Sequence, residues 1–302
     1  MKSSFVLTTA VLLATCFAAP GLAQQYTYKP VPDFFQFPEG LKLGEVPGVA
    51  FNSQGHIIVT HRGAQPVLVF DKNGKFLRSF GDEHLEAVHG TRIDADDNLW
   101  VTDIRNHTMI KFSPEGKVLL KLGERDVPGV DEKHFNRPTD IAFGENGNFF
   151  VSDGYGNNRV VKFDKQGKFL QSWGEDGGWK GLFRLPHCAF IDGKGRLHIS
   201  DRENDRIQVF NQEGEFLWLY GGFAPFGVFI DKDDTVYVAD GRDHKVYRMT
   251  LRGQIIAQWG SEGTAPGQLQ LPHGIAVDSE GAVYVTEITG KRIQKFVPVA
   301  AE

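Results

Sequence analysis

Three of the ten histidines in the chain occupy the same place in a sequence unit that recurs six times. The equivalent residues of the six copies are, in chain order, Pro47, His89, Thr139, His187, Phe226 and His273. Three imidazoles with one open position are the ligand set of a catalytic zinc site. The pattern therefore predicts a zinc ion held by His89, His187 and His273. The alternative is three separate buried histidines that share no ligand.

The elements that must position these histidines are short strands. The first copy of the unit runs through Gly48–Phe51, turns at Gln54-Gly55 and continues through Ile57–Thr60. A third strand follows, and a fourth ends in a large apolar residue and a glycine. These pairs are Leu43-Gly44, Phe80-Gly81, Leu122-Gly123, Trp173-Gly174, Tyr220-Gly221 and Trp259-Gly260. Four strands in roughly 40 to 45 residues are typical of a propeller blade. We therefore predict an all-β fold, a six-bladed β-propeller over residues 24–302, rather than a solenoid or two sandwiches.

Ring geometry relates the histidines to one another. The innermost strand of each blade lines the central channel, so equivalent positions lie at one height around the axis. Histidines in the second, fourth and sixth blades are then a third of a turn apart.

The last repeat supplies only three strands, which end near Phe296, whereas residues 34–44 carry a fourth-strand pattern. We expect residues 34–44 to pair with residues 293–296, because such closure protects two strand edges.

The N-terminal residues 1–23 have the pattern of a secretory signal peptide. Lys2 precedes an apolar stretch, and small residues end at Ala23. A lipoprotein signal around Cys16 is the alternative, although Thr15 is bulky for that position. We expect an exported protein, periplasmic or secreted, in which Cys188 is the one remaining cysteine. No later stretch is apolar enough to cross a membrane. The net charge of −5, without a polybasic run, argues against nucleic acid as a partner.

Three polar residues follow the second strands of their blades. Arg62 and Arg202 occupy the same site in blades one and four, and Tyr155 lies one residue further along in blade three. Function concentrates on such loops of a rigid scaffold, and guanidinium groups bind carboxylates in a bidentate manner. We expect a monomer that takes a small-molecule or peptide substrate bearing a carboxylate. The alternatives are surface ion pairs for the arginines and simple packing for Tyr155.

The combination of these motifs resembles a known family. His61-Arg62-Gly63, Ser152-Asp153-Gly154-Tyr155 and Asp201-Arg202-Glu203-Asn204, with the axial histidines, are similar to the peptidyl-α-hydroxyglycine α-amidating lyases among the NHL-repeat propellers. The resemblance implies a carbon–nitrogen lyase that cleaves an N-acyl α-hydroxyglycine to an amide and glyoxylate. It also implies zinc at the three histidines, Tyr155 as the catalytic base, and Arg62 and Arg202 as substrate-orienting residues.

The resemblance further implies a structural calcium ion bound by the backbone carbonyls of Val49 and Thr91. The family places an aspartate directly after the third zinc histidine, and this chain has Gly274 there. Because calcium requires oxygen ligands, the carboxylate of Asp140 in blade three is the alternative donor. The rival function is a noncatalytic NHL-repeat propeller that binds a ligand or a protein and needs no metal.

Overall fold

The computed structural model describes residues 26–300, which form twenty-four strands in six four-stranded antiparallel sheets. The predicted signal peptide, residues 1–23, lies outside the described residues. In chain order the strands are β1 (Tyr26–Val31), β2 (Gly48–Phe51), β3 (Ile57–Thr60), β4 (Val67–Phe70), β5 (Phe76–Phe80), β6 (Val88–Ile93), β7 (Leu99–Asp103), β8 (Thr108–Phe112), β9 (Val118–Leu122), β10 (Asp140–Phe143), β11 (Phe149–Asp153), β12 (Arg159–Phe163), β13 (Phe169–Trp173), β14 (Pro186–Ile191), β15 (Leu197–Asp201), β16 (Arg206–Phe210), β17 (Phe216–Gly221), β18 (Pro225–Ile230), β19 (Thr235–Asp240), β20 (Lys245–Thr250), β21 (Ile255–Trp259), β22 (Pro272–Val277), β23 (Val283–Glu287) and β24 (Arg292–Ala300).

The helical content of residues 26–300 is confined to single turns. They are a 3-10 turn at Glu145–Gly147, the α-helix α1 at Gly154–Asn157 and a 3-10 turn at Arg202–Asn204. Each of these helices is too short to span a lipid bilayer. The turns at Gly154–Asn157 and Arg202–Asn204 directly follow β11 and β15, so they lie at the ends of second strands, where the sequence predicts function.

The six sheets are the six blades of a propeller, which confirms the predicted fold class. Blades one to five are β2–β5, β6–β9, β10–β13, β14–β17 and β18–β21. Neighbouring innermost strands contact one another around the ring, and these are β2, β6, β10, β14, β18 and β22. The apolar core lies between adjacent blades, as where Ile207 and Val209 of blade four pack with Val236 and Val238 of blade five. This packing fixes the innermost strands against one axis.

The outer hairpins are specified locally by aspartates at turns. The Asp71 carboxylate accepts hydrogen bonds from the backbone N–H groups of Asn73 and Lys75, at 2.8 and 2.9 Å. Gly74 follows in the left-handed region at φ 79°, which costs glycine little. The same arrangement recurs at Asp164. Such turns add side-chain acceptors to the backbone pairing and reverse the chain tightly.

The last blade is closed by the N-terminal strand, but the predicted residues 34–44 are the wrong segment. Strand β1 pairs with β24, placing Pro30 opposite Phe296 and Val31 opposite Lys295. Residues 34–44 cannot extend this strand, because Asp33 and Gly40 adopt left-handed backbone conformations at φ 54° and 79°. Their apolar side chains instead cover the core between blades six and one; these are Phe34, Phe35, Leu41 and Leu43.

Candidate metal centre

The three predicted histidines converge on the axis of the ring. His89, His187 and His273 are buried, and one ring nitrogen from each lies within 4.8 Å of the others. Each histidine occupies a β-bulge of its innermost strand, where the register with the neighbouring strand shifts. A bulge re-aims a side chain relative to the regular pleat. The local irregularity is thus what turns these imidazoles toward a common point.

The outer nitrogen of each imidazole is held by the next blade. Each Nδ1 lies within hydrogen-bonding distance of the backbone carbonyl at the equivalent axial position of the following blade. The pairs are His89 with Thr139 at 2.7 Å, His187 with Phe226 at 2.6 Å, and His273 with Pro47 at 2.8 Å. A carbonyl only accepts, so each Nδ1 carries the proton and each Nε2 keeps its lone pair.

The electrostatic setting keeps these histidines neutral. Burial lowers the pKa of His273 to about 3, and the nearby charges of Arg62 and Arg202 act in the same direction. The pKa of His89 is lowered well below its ordinary value by burial and by His273 and Arg62, and that of His187 by burial and Arg202. Neutral imidazole is the form that binds metal.

The inward nitrogens therefore face one another as acceptors. The Nε2 atoms of His89 and His273 are 3.2 Å apart, and with both Nδ1 atoms protonated neither Nε2 can donate to the other. Two facing lone pairs at this distance repel unless a cation lies between them. The donor set and its burial thus fit a bound metal ion, and the three histidines can hold one.

Tyr155 and Arg202 join the histidines at the same point. The Tyr155 hydroxyl, carried by α1, lies 3.2 Å from Nε2 of His89 and 3.3 Å from Nε2 of His187. Nη1 of Arg202 donates to this hydroxyl at 3.2 Å. The Arg202 guanidinium also lies 4.5 Å from the centre of the Phe226 ring. A phenol, a guanidinium and three imidazole nitrogens consequently share one small polar site.

Arg62, which follows β3 of blade one, contacts the strand that carries His89. Its Nε donates to the carbonyl of Val88, at 3.0 Å, and its Nη1 is ion-paired with Glu45. Arg202 is likewise ion-paired with Glu203, at 2.8 Å. Both predicted arginines therefore lie beside the metal centre, where they lower the pKa of His273, but each also has a carboxylate neighbour of its own.

Sequence reasoning missed Arg137 at the rim of this site. Its exposed guanidinium lies 5.0 Å from the centre of the Tyr155 ring, and within residues 26–300 it has no carboxylate partner. Its backbone is left-handed, at φ 62°. One feature of the sequence could have identified Arg137. It directly precedes a proline, Pro138, and the residues before the equivalent prolines of blades four and six are the apolar Leu185 and Leu271.

The residues implied for calcium line a cavity of about 40 Å³ on the axis next to the histidines. Val49, Thr91 and Gly274 all border it. A side chain at Gly274 would place its Cβ 2.5 Å from the carbonyl oxygen of Pro47, so no aspartate fits there. The one carboxylate on the cavity wall, Asp140, is already paired with Arg92 at 2.6 Å. The donors present do not fit a calcium ion.

Comparison with known proteins places the chain in a family. The NHL repeat matches residues 135–163 and 269–296. A Drosophila melanogaster protein named peptidyl-alpha-hydroxyglycine alpha-amidating lyase 2 is 30% identical over 307 residues, covering 84% of this chain and 72% of that protein. The chain belongs to the peptidyl-α-hydroxyglycine α-amidating lyase family. The resemblance carried by the motifs is thereby confirmed.

Two further comparisons mark the extent of the match. Peptidyl-glycine alpha-amidating monooxygenase B of Xenopus laevis is 33% identical over 87% of this chain, which covers 35% of that protein. This member of the amidating lyase family thus spans about a third of the length of that relative. A solved structure titled streptogramin B lyase superposes with a TM-score of 0.66 at 17% identity, covering 91% of this chain and 98% of that one. At that identity the shared feature is the propeller fold.

Proposed function

We propose that the protein is a zinc-dependent carbon–nitrogen lyase that cleaves an N-acyl α-hydroxyglycine to an amide and glyoxylate. The observation that carries the proposal is the Tyr155 hydroxyl, which lies 3.2 and 3.3 Å from two axial imidazole nitrogens and 3.2 Å from a guanidinium nitrogen. A proton acceptor beside a metal-binding set and a cation is the arrangement that this reaction needs.

The donor set supports zinc as the metal. Zinc prefers tetrahedral coordination with Zn–N distances of about 2.0–2.1 Å, which places two ligand nitrogens roughly 3.3 Å apart. The Nε2 atoms of His89 and His273 are 3.2 Å apart. Zinc bound there would act as a Lewis acid that makes a hydroxyl group more acidic. His89, His187 and His273 would hold it, and the Tyr155 hydroxyl lies next to two of these ligands.

Tyr155 is the acceptor of the substrate's hydroxyl proton. When that O–H bond breaks, its electrons form the carbonyl of glyoxylate, the C–N bond breaks, and the departing nitrogen receives the same proton back from Tyr155 to become the amide. Proton transfer to a positioned side chain contributes typically 10²–10⁴-fold in rate. The Arg202 guanidinium, 3.2 Å from the phenolic oxygen, stabilises negative charge on that oxygen.

The arginines supply the carboxylate recognition that the substrate requires. Arg62 and Arg202 lie on two sides of the histidine cluster and are mostly buried, with 21% and 11% of their side chains exposed. A guanidinium binds a carboxylate through two parallel hydrogen bonds, and this fixes the orientation of the substrate. The rim cation Arg137 adds positive charge at the entrance. The expected export through residues 1–23 places the reaction outside the cytoplasm.

The test combines metal analysis with product detection. Purified protein should contain about one zinc per chain and release glyoxylate and amide in equal amounts from α-hydroxyhippurate. His187→Ala should lose both zinc and turnover, because two imidazoles make a weak site. His198→Gln is the matched control, since His198 is buried but bonded to Asp192 away from the axis.

Two results would overturn the proposal. One is full glyoxylate release by metal-free protein. The other is zinc-loaded protein that binds the substrate without cleaving it, which would favour the noncatalytic NHL-repeat propeller.

A further inference from the structure

We propose that the Arg92–Asp140 ion pair takes the place of the axial calcium ion that the family resemblance implies. The protein would then hold one metal ion, at the histidines, and a guanidinium as the second cation of the channel. This inference concerns the architecture of the ring and does not depend on the lyase reaction.

The first argument is the saturation of the one carboxylate on the cavity wall. Asp140 accepts from Arg92 through both oxygens, from Nε at 3.1 Å and from Nη2 at 2.6 Å. The backbone N–H of Ala189 donates a further bond to the same carboxylate, at 3.0 Å. Calcium requires six to eight oxygen ligands, among which carboxylates supply the compensating charge. With Asp140 engaged, the cavity offers no free anionic donor among the residues that line it.

The second argument is that Arg92 links innermost strands around the channel, beginning from β6, the strand that also carries Thr91. Arg92 comes from β6 of blade two and Asp140 from β10 of blade three. Nη2 of Arg92 also reaches the Ala189 carbonyl and the Cys188 sulfur of β14 in blade four, both at 3.1 Å. The guanidinium therefore joins three neighbouring innermost strands through acceptors from two of them.

The third argument is burial. The Arg92 and Asp140 side chains are 17% and 6% exposed, and the guanidinium lies 5.2 Å from the centre of the Phe190 ring. Removing one partner of a buried ion pair leaves an uncompensated charge, which is strongly unfavourable. Asp140 without Arg92 would therefore need another cation, whereas the intact pair is neutral and has no net charge to attract one.

The experiment measures thermal stability against calcium. Wild-type protein is stripped of metal, reloaded with zinc, and melted with and without calcium chloride in the millimolar range. We expect the same Tm in both conditions and no calcium in elemental analysis of protein purified from calcium-containing buffer. A calcium-dependent rise in the wild-type Tm, or stoichiometric bound calcium, would overturn the proposal.

Variants of Arg92 and Asp140 test the converse, that loss of the Arg92 cation makes the protein respond to calcium. Arg92→Met removes the cation but keeps most of the side-chain volume, so Asp140 becomes an unpaired carboxylate. We expect this variant to melt lower than wild type and to regain several degrees in millimolar calcium. Arg92→Met/Asp140→Asn should lose that response, and Arg92→Lys, which retains a charge, should show none.

The matched control is Arg159→Met, which breaks another buried ion pair, with Asp153 at 3.0 Å, in blade three away from the axial cavity. It should be destabilised without rescue by calcium. An Arg92→Met protein that responds to calcium no more than Arg159→Met would contradict the inference. If Arg92→Met does not fold, the wild-type and Arg92→Lys measurements decide the question.

Discussion

Replacing Tyr155 with phenylalanine isolates the proton-transfer step. The change deletes one oxygen and with it three contacts, to Nε2 of His89, Nε2 of His187 and Nη1 of Arg202. The ring itself should stay in place, because the guanidinium groups of Arg137 and Arg202 lie 5.0 and 5.4 Å from its centre. The perturbation is therefore chemical rather than structural.

The expected magnitudes differ between activity and stability. Loss of a positioned base lowers kcat by roughly 10²–10⁴, equivalent to about 2.7–5.4 kcal/mol in the activation barrier at about 1.36 kcal/mol per decade. The Tyr155 side chain is only partly buried, so deleting its hydroxyl costs the fold about 1 kcal/mol or less. For a large single domain, such a change lowers Tm by at most about 2–4 °C.

The assay is steady-state glyoxylate release, with zinc content measured on the same protein. Tyr220→Phe is the matched control, because Tyr220 also hydrogen-bonds a histidine, His198 at 3.2 Å, but lies in the core between blades four and five. We expect Tyr220→Phe to lower Tm and leave kcat unchanged. A Tyr155→Phe protein with wild-type turnover would refute the reasoning that the phenol accepts the proton.

Three further predictions concern other parts of the molecule. Arg202→Ala should raise KM and also lower kcat, because Arg202 donates to Tyr155, whereas Arg62→Ala should mainly raise KM. Equal effects of the two variants on kcat in steady-state assays would argue against a role for the Arg202–Tyr155 hydrogen bond in turnover. A chain that begins after Val31 should melt lower and aggregate in light scattering, because β24 becomes an exposed edge; a chain beginning at Tyr26 is the control, and equal melting curves would count against closure by β1. Burial lowers the pKa of His198 below 6.5 despite the opposing effect of Asp192, so its contribution to stability is present above pH 6.5 and is lost as pH falls below it. Below pH 6.5, the slope of the unfolding free energy against pH should be smaller in His198→Gln than in wild type, by up to about 1.4 kcal/mol per pH unit. Identical pH profiles of the two proteins in denaturant titrations would contradict this assignment.

The sequence is most informative where it repeats. Alignment of the six copies puts His89, His187 and His273 at one level, because blade geometry converts equal positions in a repeat into equal heights on the axis. The aligned copies do not predict the bulge at each histidine. A register shift depends on which backbone groups pair, and residues of the same types also fit a regular strand.

The misplaced closing strand and the Arg92–Asp140 pair, which the sequence analysis did not foresee, have a common physical origin in apolar patterning. Residues 34–44 are rich in phenylalanine and leucine, a composition that predicts a strand, yet these side chains cover a core while Tyr26–Val31 makes the ladder. Conversely, Arg92 lies in a strand whose alternation predicts only that some side chains face outward. Its partnership with Asp140 depends on two blades being neighbours at the axis. Hydrophobic pattern predicts burial, but it does not identify the partner.

The carbonyl groups that hold the three histidines divide the ring into two kinds of blade. At this axial position, even-numbered blades provide imidazoles, while odd-numbered blades provide main-chain oxygens, from Pro47, Thr139 and Phe226. An oxygen of the backbone is present whatever the side chain is, which explains why three such different residues serve the same role. A substitution at one of these positions therefore keeps the acceptor that fixes an imidazole tautomer, but at Thr139 or Phe226 it also removes a side-chain contact, to Pro186 or to Arg202.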